Sequence, residues 1–382
     1  TAQLIDIARN EILWQERIDA KFDNVFALQD RICEALINGL RLSLSTSEQQ
    51  ALKQDESAHP LTHELLMRAV ACGNSLEEHR RAFDLLESAV KLDPNYAPAW
   101  AALGGRYVAS RHYFHDESLL IKAESALRRA LELKPQLPAA LFWLVLYYGE
   151  INDLKNGLAA IRELMEVAPN TEYAYQAMGF AYSYAGLPDV ALALFRKANE
   201  INPLAYPQMI GVLLYQKGQF DEARKALESN PQRDIFPEIS YWLAILDLIE
   251  GKYQAAAERF RILITLPGAV KMHEMCSGLL ASINGEIEEG RRVVRKVTDL
   301  GYKLPAFVYY LLAQIYAQLG DADSCFEMVN EAINHGYGNY PFLMSDPMLN
   351  PVRNHPDFKA LSERMHEQQT KLQLMLVAGD RN

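Results

Sequence analysis

The chain has 382 residues, 49% of them apolar and 23% charged, the balance of a folded globular protein. Its formal net charge of −11 argues against broad binding to nucleic acid or anionic membranes. No apolar run reaches the roughly eighteen residues that a membrane-spanning helix needs. The four cysteines, Cys33, Cys72, Cys276 and Cys325, are scattered without paired spacing. They read as reduced, buried thiols, and hence as a sign of a cytoplasmic location.

Residues 1–20 read as two strands. Leu4, Ile5, Ile7, Ile12 and Leu13 flank a polar turn at Arg9-Asn10. The chain opens inside the first strand, so a longer parent protein is expected. Asp23 is placed to cap a following helix, with Phe26, Ile32, Leu36 and Leu40 on one apolar face. Ser45 and Glu48 have capping-box spacing and open a further short helix. The polar, proline-terminated stretch 53–60 reads as a linker.

Beyond Pro60 the chain becomes periodic. Pro135, Pro169 and Pro203 recur every thirty-four residues. Between the last two stand Tyr175, Met178, Gly179, Tyr182, Ala191, Phe195 and Ala198. Small residues (Gly179, Ala191) let two helices approach, larger ones (Tyr182, Phe195) fill the space between them, and proline ends the second helix. These positions resemble the tetratricopeptide repeat, a helix–turn–helix unit. Weaker copies follow the same scheme on both sides. Ala82, Leu86, Ala89 and Pro94 close a first unit, and Ala313, Tyr316, Cys325, Val329 and Ala332 mark an eighth. The expectation is an all-α, right-handed superhelix of about eight such repeats. In the second unit Trp100 and Ala123 lie seven residues further apart than the pattern wants. An insertion loop is therefore expected around residues 110–117, with Arg111, His112, Tyr113 and His115 as its candidate contact residues. His112 and His115 with Asp116 and Glu117 form the nearest thing to a metal site. A solvated polar loop accounts for them, and no metal is expected.

Residues 3–40 carry a second resemblance. Gln3, Leu4, Ile5, Asp6, Leu13, Trp14, Glu16, Arg17, Asp19, Phe26, Ala27, Leu28, Gln29, Asp30 and Ile32 match the end of a TolB-like amino-terminal domain of bacterial signalling proteins. In that family the segment joins an output domain to a tetratricopeptide array. The output domain is a winged-helix DNA-binding domain, as in CadC-like regulators, or a class III nucleotide cyclase. A CadC-like parent would place this region in the periplasm instead. Pro356, Phe358 and Leu361 resemble the closing helix of the same family, expected to cap the last repeat. The resulting division is 1–52 for the end of the TolB-like domain, 53–60 for the linker, 61–339 for the array and 340–382 for the cap and tail.

No nucleophile elbow, phosphate loop, zinc-protease helix or dinucleotide fingerprint occurs, so no catalysis and no cofactor are expected of these residues. The first helix of each pair should face the concave side. Positions free to meet a ligand there are Phe142, Trp143, Tyr173, Gln176, Phe180, Tyr184, Gln208, Tyr215, Tyr241, Trp242, Tyr310 and Gln314. Aromatics and amides of this kind provide contact area and hydrogen bonding at partner surfaces. A protein or peptide ligand is expected in that groove. Self-association into a homodimer is also compatible with an open array and an exposed strand edge. Neither nucleic-acid binding nor membrane insertion is expected of this segment.

Overall fold

The computed structural model describes residues 2–6, 11–17, 32, 35, 59–114, 116–204, 206–299 and 304–379. Strands β1 (Ala2–Asp6) and β2 (Glu11–Glu16) form an antiparallel hairpin pairing Leu4 with Trp14, with a register shift between Leu4 and Ile5. The expected hairpin turn, the helix opened by Asp23, the Ser45–Glu48 box, Cys33 and most of the linker lie outside the described residues.

Among the described residues from Pro60 onward the chain is helical, in eight successive antiparallel pairs. They are α1 (Pro60–Val70) with α2 (Leu76–Leu92), α3 (Ala97–Phe114) with α4 (Ser118–Leu133), α5 (Pro138–Glu150) with α6 (Leu154–Val167), and α7 (Glu172–Tyr184) with α8 (Pro188–Ile201). Then come α9 (Met209–Gln216) with α10 (Phe220–Glu228), α11 (Pro237–Ile249) with α12 (Tyr253–Thr265), α13 (His273–Asn284) with α14 (Ile287–Thr298), and α15 (Ala306–Gln318) with α16 (Ala322–Asn334). This is the all-α tetratricopeptide superhelix. Pro135, Pro169 and Pro203 each stand one residue beyond the C-cap of the second helix of a pair, where the missing N–H forbids continuation.

The turn inside each of the last six pairs carries a second periodic signal. Asn152, Gly186, Gly218, Gly251, Gly285 and Gly320 all have positive φ, between 58° and 75°. Each closes the first helix of its pair in the left-handed conformation that glycine adopts without a Cβ penalty and that asparagine tolerates. The helices meet through the small residues. A Cβ on Gly179 would lie 2.7 Å from the Phe195 ring, which is fully buried, and one on Gly211 would lie 2.4 Å from Leu227.

Among the described residues the expected insertion loop is absent. The extra residues lengthen α3 and α4 to 18 and 16 residues, so Arg111 and Tyr113 are helical and buried. The Arg111 guanidinium pairs with Glu150 at 2.6 Å and Glu117 at 3.0 Å, tying the end of α3 to that of α5. Asp116 accepts from the Ser118 amide. The supposed metal-binding carboxylates are thus engaged in helix ends and an ion pair. His112 lies within α3, but its side chain and the whole of His115 fall outside the described residues. Cys276 and Cys325 are buried as expected, whereas Cys72 is only half-buried. It follows α1, and the carbonyls of Ala69 in the last turn and of Cys72 and Gly73 just beyond it accept from Arg106.

The packing predicts opposite outcomes at two helical glycines. Gly179→Val, forced against Phe195, lowers stability by about 1–3 kcal/mol. Gly157→Ala has room, its nearest neighbour being Tyr148 at 3.5 Å, and raises stability by roughly 0.5–1 kcal/mol through helix propensity. Urea midpoints of the two variants measure this, and shifts of the same sign would contradict the packing.

Candidate functional site

The inner face of the superhelix is divided between an internal occupant and an open cleft. After α16 the chain turns inward through Tyr337 and forms α17 (Tyr340–Ser345), a 3-10 turn (Pro347–Val352) and α18 (Phe358–Gly379). The Gly338 amide donates to the Tyr184 carbonyl at 2.9 Å, far back in the fourth repeat. The Asn339 side chain donates through Nδ2 to Gln216 Oε1 at 3.2 Å. Gln373 donates to the Ala185 carbonyl at 3.0 Å and Gln369 to that of Gly186 at 3.4 Å. A Cβ on Gly186 would lie 2.5 Å from Gln369, so the tail abuts that turn directly. Helix α18 touches α16 of the eighth pair and α6 of the third. The expected cap over the last repeat is therefore a strap that also crosses the inner face.

Asp346 is the centre of this strap. Its carboxylate is fully buried and accepts from the Tyr215 hydroxyl (3.1 Å), the Tyr310 hydroxyl (3.0 Å), Gln314 Nε2 (2.7 Å) and the Met348 amide (3.0 Å). Tyr337 and Phe342 pack against Tyr310, and Phe342 also against Tyr215. Trp242 stacks on Phe307 and meets Tyr215 and Tyr241 edge-on or tilted. Five residues expected to face a ligand, Tyr215, Tyr241, Trp242, Tyr310 and Gln314, are consequently buried, none more than 5% exposed. The correction has a simple cause. Tyr215, Tyr310 and Gln314 are covered by the chain's own residues 337–352, whereas Tyr241 and Trp242 pack among rings of the array itself, Phe260 and Phe307.

The other seven line an open cleft of about 640 Å³. Phe142 and Trp143 come from α5; Tyr173, Gln176, Phe180 and Tyr184 come from α7; Gln208 immediately precedes α9. Tyr113 of the expected loop reaches the same cleft, and Leu372 and Leu376 of α18 also line it. Phe142 packs on Tyr173 at 5.3 Å, and Phe180 meets Tyr206 edge-on at 4.9 Å. Tyr206 holds φ of 51°, an outlying conformation for a bulky residue. Neither it nor Asn152, which also lines the cleft, is marked by the repeat pattern, although Asn152 holds the left-handed turn position occupied by glycine in later units. Burial pushes the phenol of Tyr173 above its ordinary value, with Glu172 adding to the rise. The cleft tyrosine thus stays neutral.

Comparison with known proteins agrees with the architecture. A tetratricopeptide repeat family model matches residues 308–334, which span most of α15 and α16. The chain is 33% identical over 107 residues to a putative adenylate cyclase 3 of Rhizobium meliloti, a stretch covering 27% of this chain and 18% of that protein. The chain thus spans less than a fifth of that relative's length. Among solved structures, the Cut9–Hcn1 hetero-tetramer of APC/C superposes with a TM-score of 0.53 at 14% identity, covering 82% of this chain and 60% of the other. The human IFIT1 dimer with PPP-AAAA gives 0.52 at 16%, covering 91% and 80%. These likenesses are of fold. Among the described residues no helix is long and apolar enough to cross a membrane.

Asp346 gives the strap a testable pH signature. Burial raises its carboxyl above the ordinary aspartate value, against the lowering by its donors. The folded state therefore holds this proton more tightly than the unfolded chain. The contribution to stability is full below the ordinary value of about 4 and declines as pH rises through the folded value. Asp346→Asn lacks this titration. The wild-type urea midpoint, taken relative to that of the variant, should rise as pH falls from neutral towards about 4, and a fall would contradict the assignment.

Proposed function

We propose that this chain is a protein-binding module of a bacterial signalling protein, holding a partner segment in the cleft between α5, α7 and α18. The observation that carries the reading is the cleft itself. It is concave and aromatic-lined, and α18 supplies part of its wall. The fold is typical of non-catalytic interaction domains, and the chain binds rather than turns over substrate. Among the described residues the cleft lining includes Glu150, Asp153, Glu172 and Glu238 and neither lysine nor arginine, the opposite of what a phosphate backbone requires. That favours protein over nucleic acid.

A second reading refines the first. The array regulates a class III nucleotide cyclase joined to it through the TolB-like segment, and the cyclase-named relative supports this. Its mechanism is a population shift, in which a ligand that prefers one curvature of the array biases the attached domain. A winged-helix output domain, as in CadC-like regulators, rests on the resemblance of residues 3–40 and would bring a periplasmic rather than cytoplasmic setting. Pairing of the β1–β2 hairpin with a second copy is the proposed route to a homodimer.

The test places a photo-crosslinking phenylalanine analogue at Tyr173, at Gln208 and, as a control, at the exposed Tyr253 of α12. Illumination in the producing cell should yield discrete protein adducts from the two cleft positions. Adducts confined to Tyr253, or equal at all three, would remove the cleft from the account.

A further inference from the structure

The aromatic cleft continues into a second cavity of about 490 Å³. Asn152, Leu154, His335 and Gly336 line both. The two volumes together exceed the roughly 300–1,000 Å³ of small-molecule pockets. Their lining runs from the start of α11 to α18. An extended chain suits such a site better than a compact ligand.

The second cavity has a different chemistry. Arg364, Glu367 and Lys371 line it from α18, at the three- and four-residue spacing that places side chains on one helix face. Among the described residues it thus presents two permanent cations and one carboxylate. Arg364 is held in place by neutral groups. Its guanidinium donates to the side-chain oxygen of Asn330 and to that of Asn334 at 3.2 Å. Asn334 Nδ2 in turn donates to Glu331 at 3.2 Å, which fixes the Asn334 amide with its oxygen towards Arg364. A guanidinium positioned by amides keeps its charge for an incoming anion, and its remaining N–H groups match a carboxylate.

Amides mark the path between the two cavities. Asn152 stands at their junction, and both its polar side-chain atoms are buried without a hydrogen-bond partner among the described residues. Gln208 Oε1, in the aromatic cleft, is in the same condition. Buried amides left unpaired cost stability, and a peptide backbone offers both N–H and C=O groups to them. On α18 the neighbouring residues Lys371 and Leu372 line different cavities, Lys371 the polar one and Leu372 the aromatic one. A ligand that uses both therefore places a charged group close to an apolar one.

We infer, on the reading of the cleft as a partner-binding groove, that the joined cavities take an extended peptide segment of a partner protein carrying aspartate or glutamate beside a bulky apolar side chain. The carboxylate pairs with Arg364 and Lys371. The apolar side chain enters among Phe142, Trp143 and Leu376, and the backbone meets Asn152 and Gln208. Both cations stand on α18 rather than on a repeat, so the strap helix sets the charge preference.

The test is selection of a displayed library of random peptides on the full chain, followed by removal of every peptide that Tyr173→Ser also retains. Leu376→Ser, near the end of α18, serves in its place should Tyr173→Ser fail to fold. The cleft-dependent peptides should be enriched in aspartate or glutamate next to an apolar residue. By fluorescence anisotropy, the synthetic consensus peptide should bind the Arg364→Gln, Lys371→Gln double variant roughly tenfold more weakly. Lys371→Gln alone, at an exposed position, should weaken it roughly threefold, which covers the case in which loss of Arg364 loosens α18. Arg292→Gln with Lys296→Gln on α14, which lines neither cavity, should leave binding unchanged. Cleft-dependent peptides that are neutral or basic, unaltered binding by the α18 variants, or equal weakening by the α14 pair would overturn the inference while leaving the groove intact. Absence of any cleft-dependent peptide would overturn both.

Discussion

A single buried carboxylate constrains the inner face of this superhelix. Asp346 collects hydroxyl and amide donors from α9 and α15, helices three repeats apart, and so fixes the tail between them. An unpaired carboxylate at full burial would be costly, and the donors make it tolerable. Tyr215 and Tyr310 each serve twice, as donors to Asp346 and as packing surface for Phe342. The partition of the face into a filled region and an open one follows from this arrangement.

The local grammar of the repeats is readable from the chain because it depends on neighbours in sequence. Gly179 and Phe195 lie in one helix pair, and Pro203 ends that pair. The left-handed residues Asn152, Gly186, Gly218, Gly251, Gly285 and Gly320 offer a register that persists where the prolines become irregular. They are equally visible in sequence, and the proline-based reading passes over them. The lengthened second pair is harder. Seven extra residues are equally compatible with a loop or with longer helices, and the choice for helix is tied to Arg111, which finds Glu150 in the next repeat.

The inner face is legible only in part, for a physical reason. Repeat periodicity says which positions point inward. It does not say what meets them there. Tyr215 and Asp346 are 131 residues apart, and no local pattern links them. Aromatic residues in Tyr173 and in Tyr241 look alike in sequence, yet one borders an open cleft and the other lies in the interior. Gln176 and Gln314 differ likewise. The first lines the open cleft, and the second is held by Asp346. What separates the open cleft from the filled region is the path of the strap, whose helix α18 passes Gly186 and contributes Leu372 and Leu376 to the cleft wall.

The strap across the inner face is the claim on which the cleft, its lining and its chemistry all rest. A chain carrying Ala185→Cys and Gln373→Cys tests it most directly, because the native Gln373 side chain reaches the Ala185 carbonyl. Treatment of the folded monomer with a short bismaleimide, followed by proteolysis and mass spectrometry, should give an intramolecular link between residues 185 and 373. Single-site adducts alone, with the two thiols modified independently, would contradict the account.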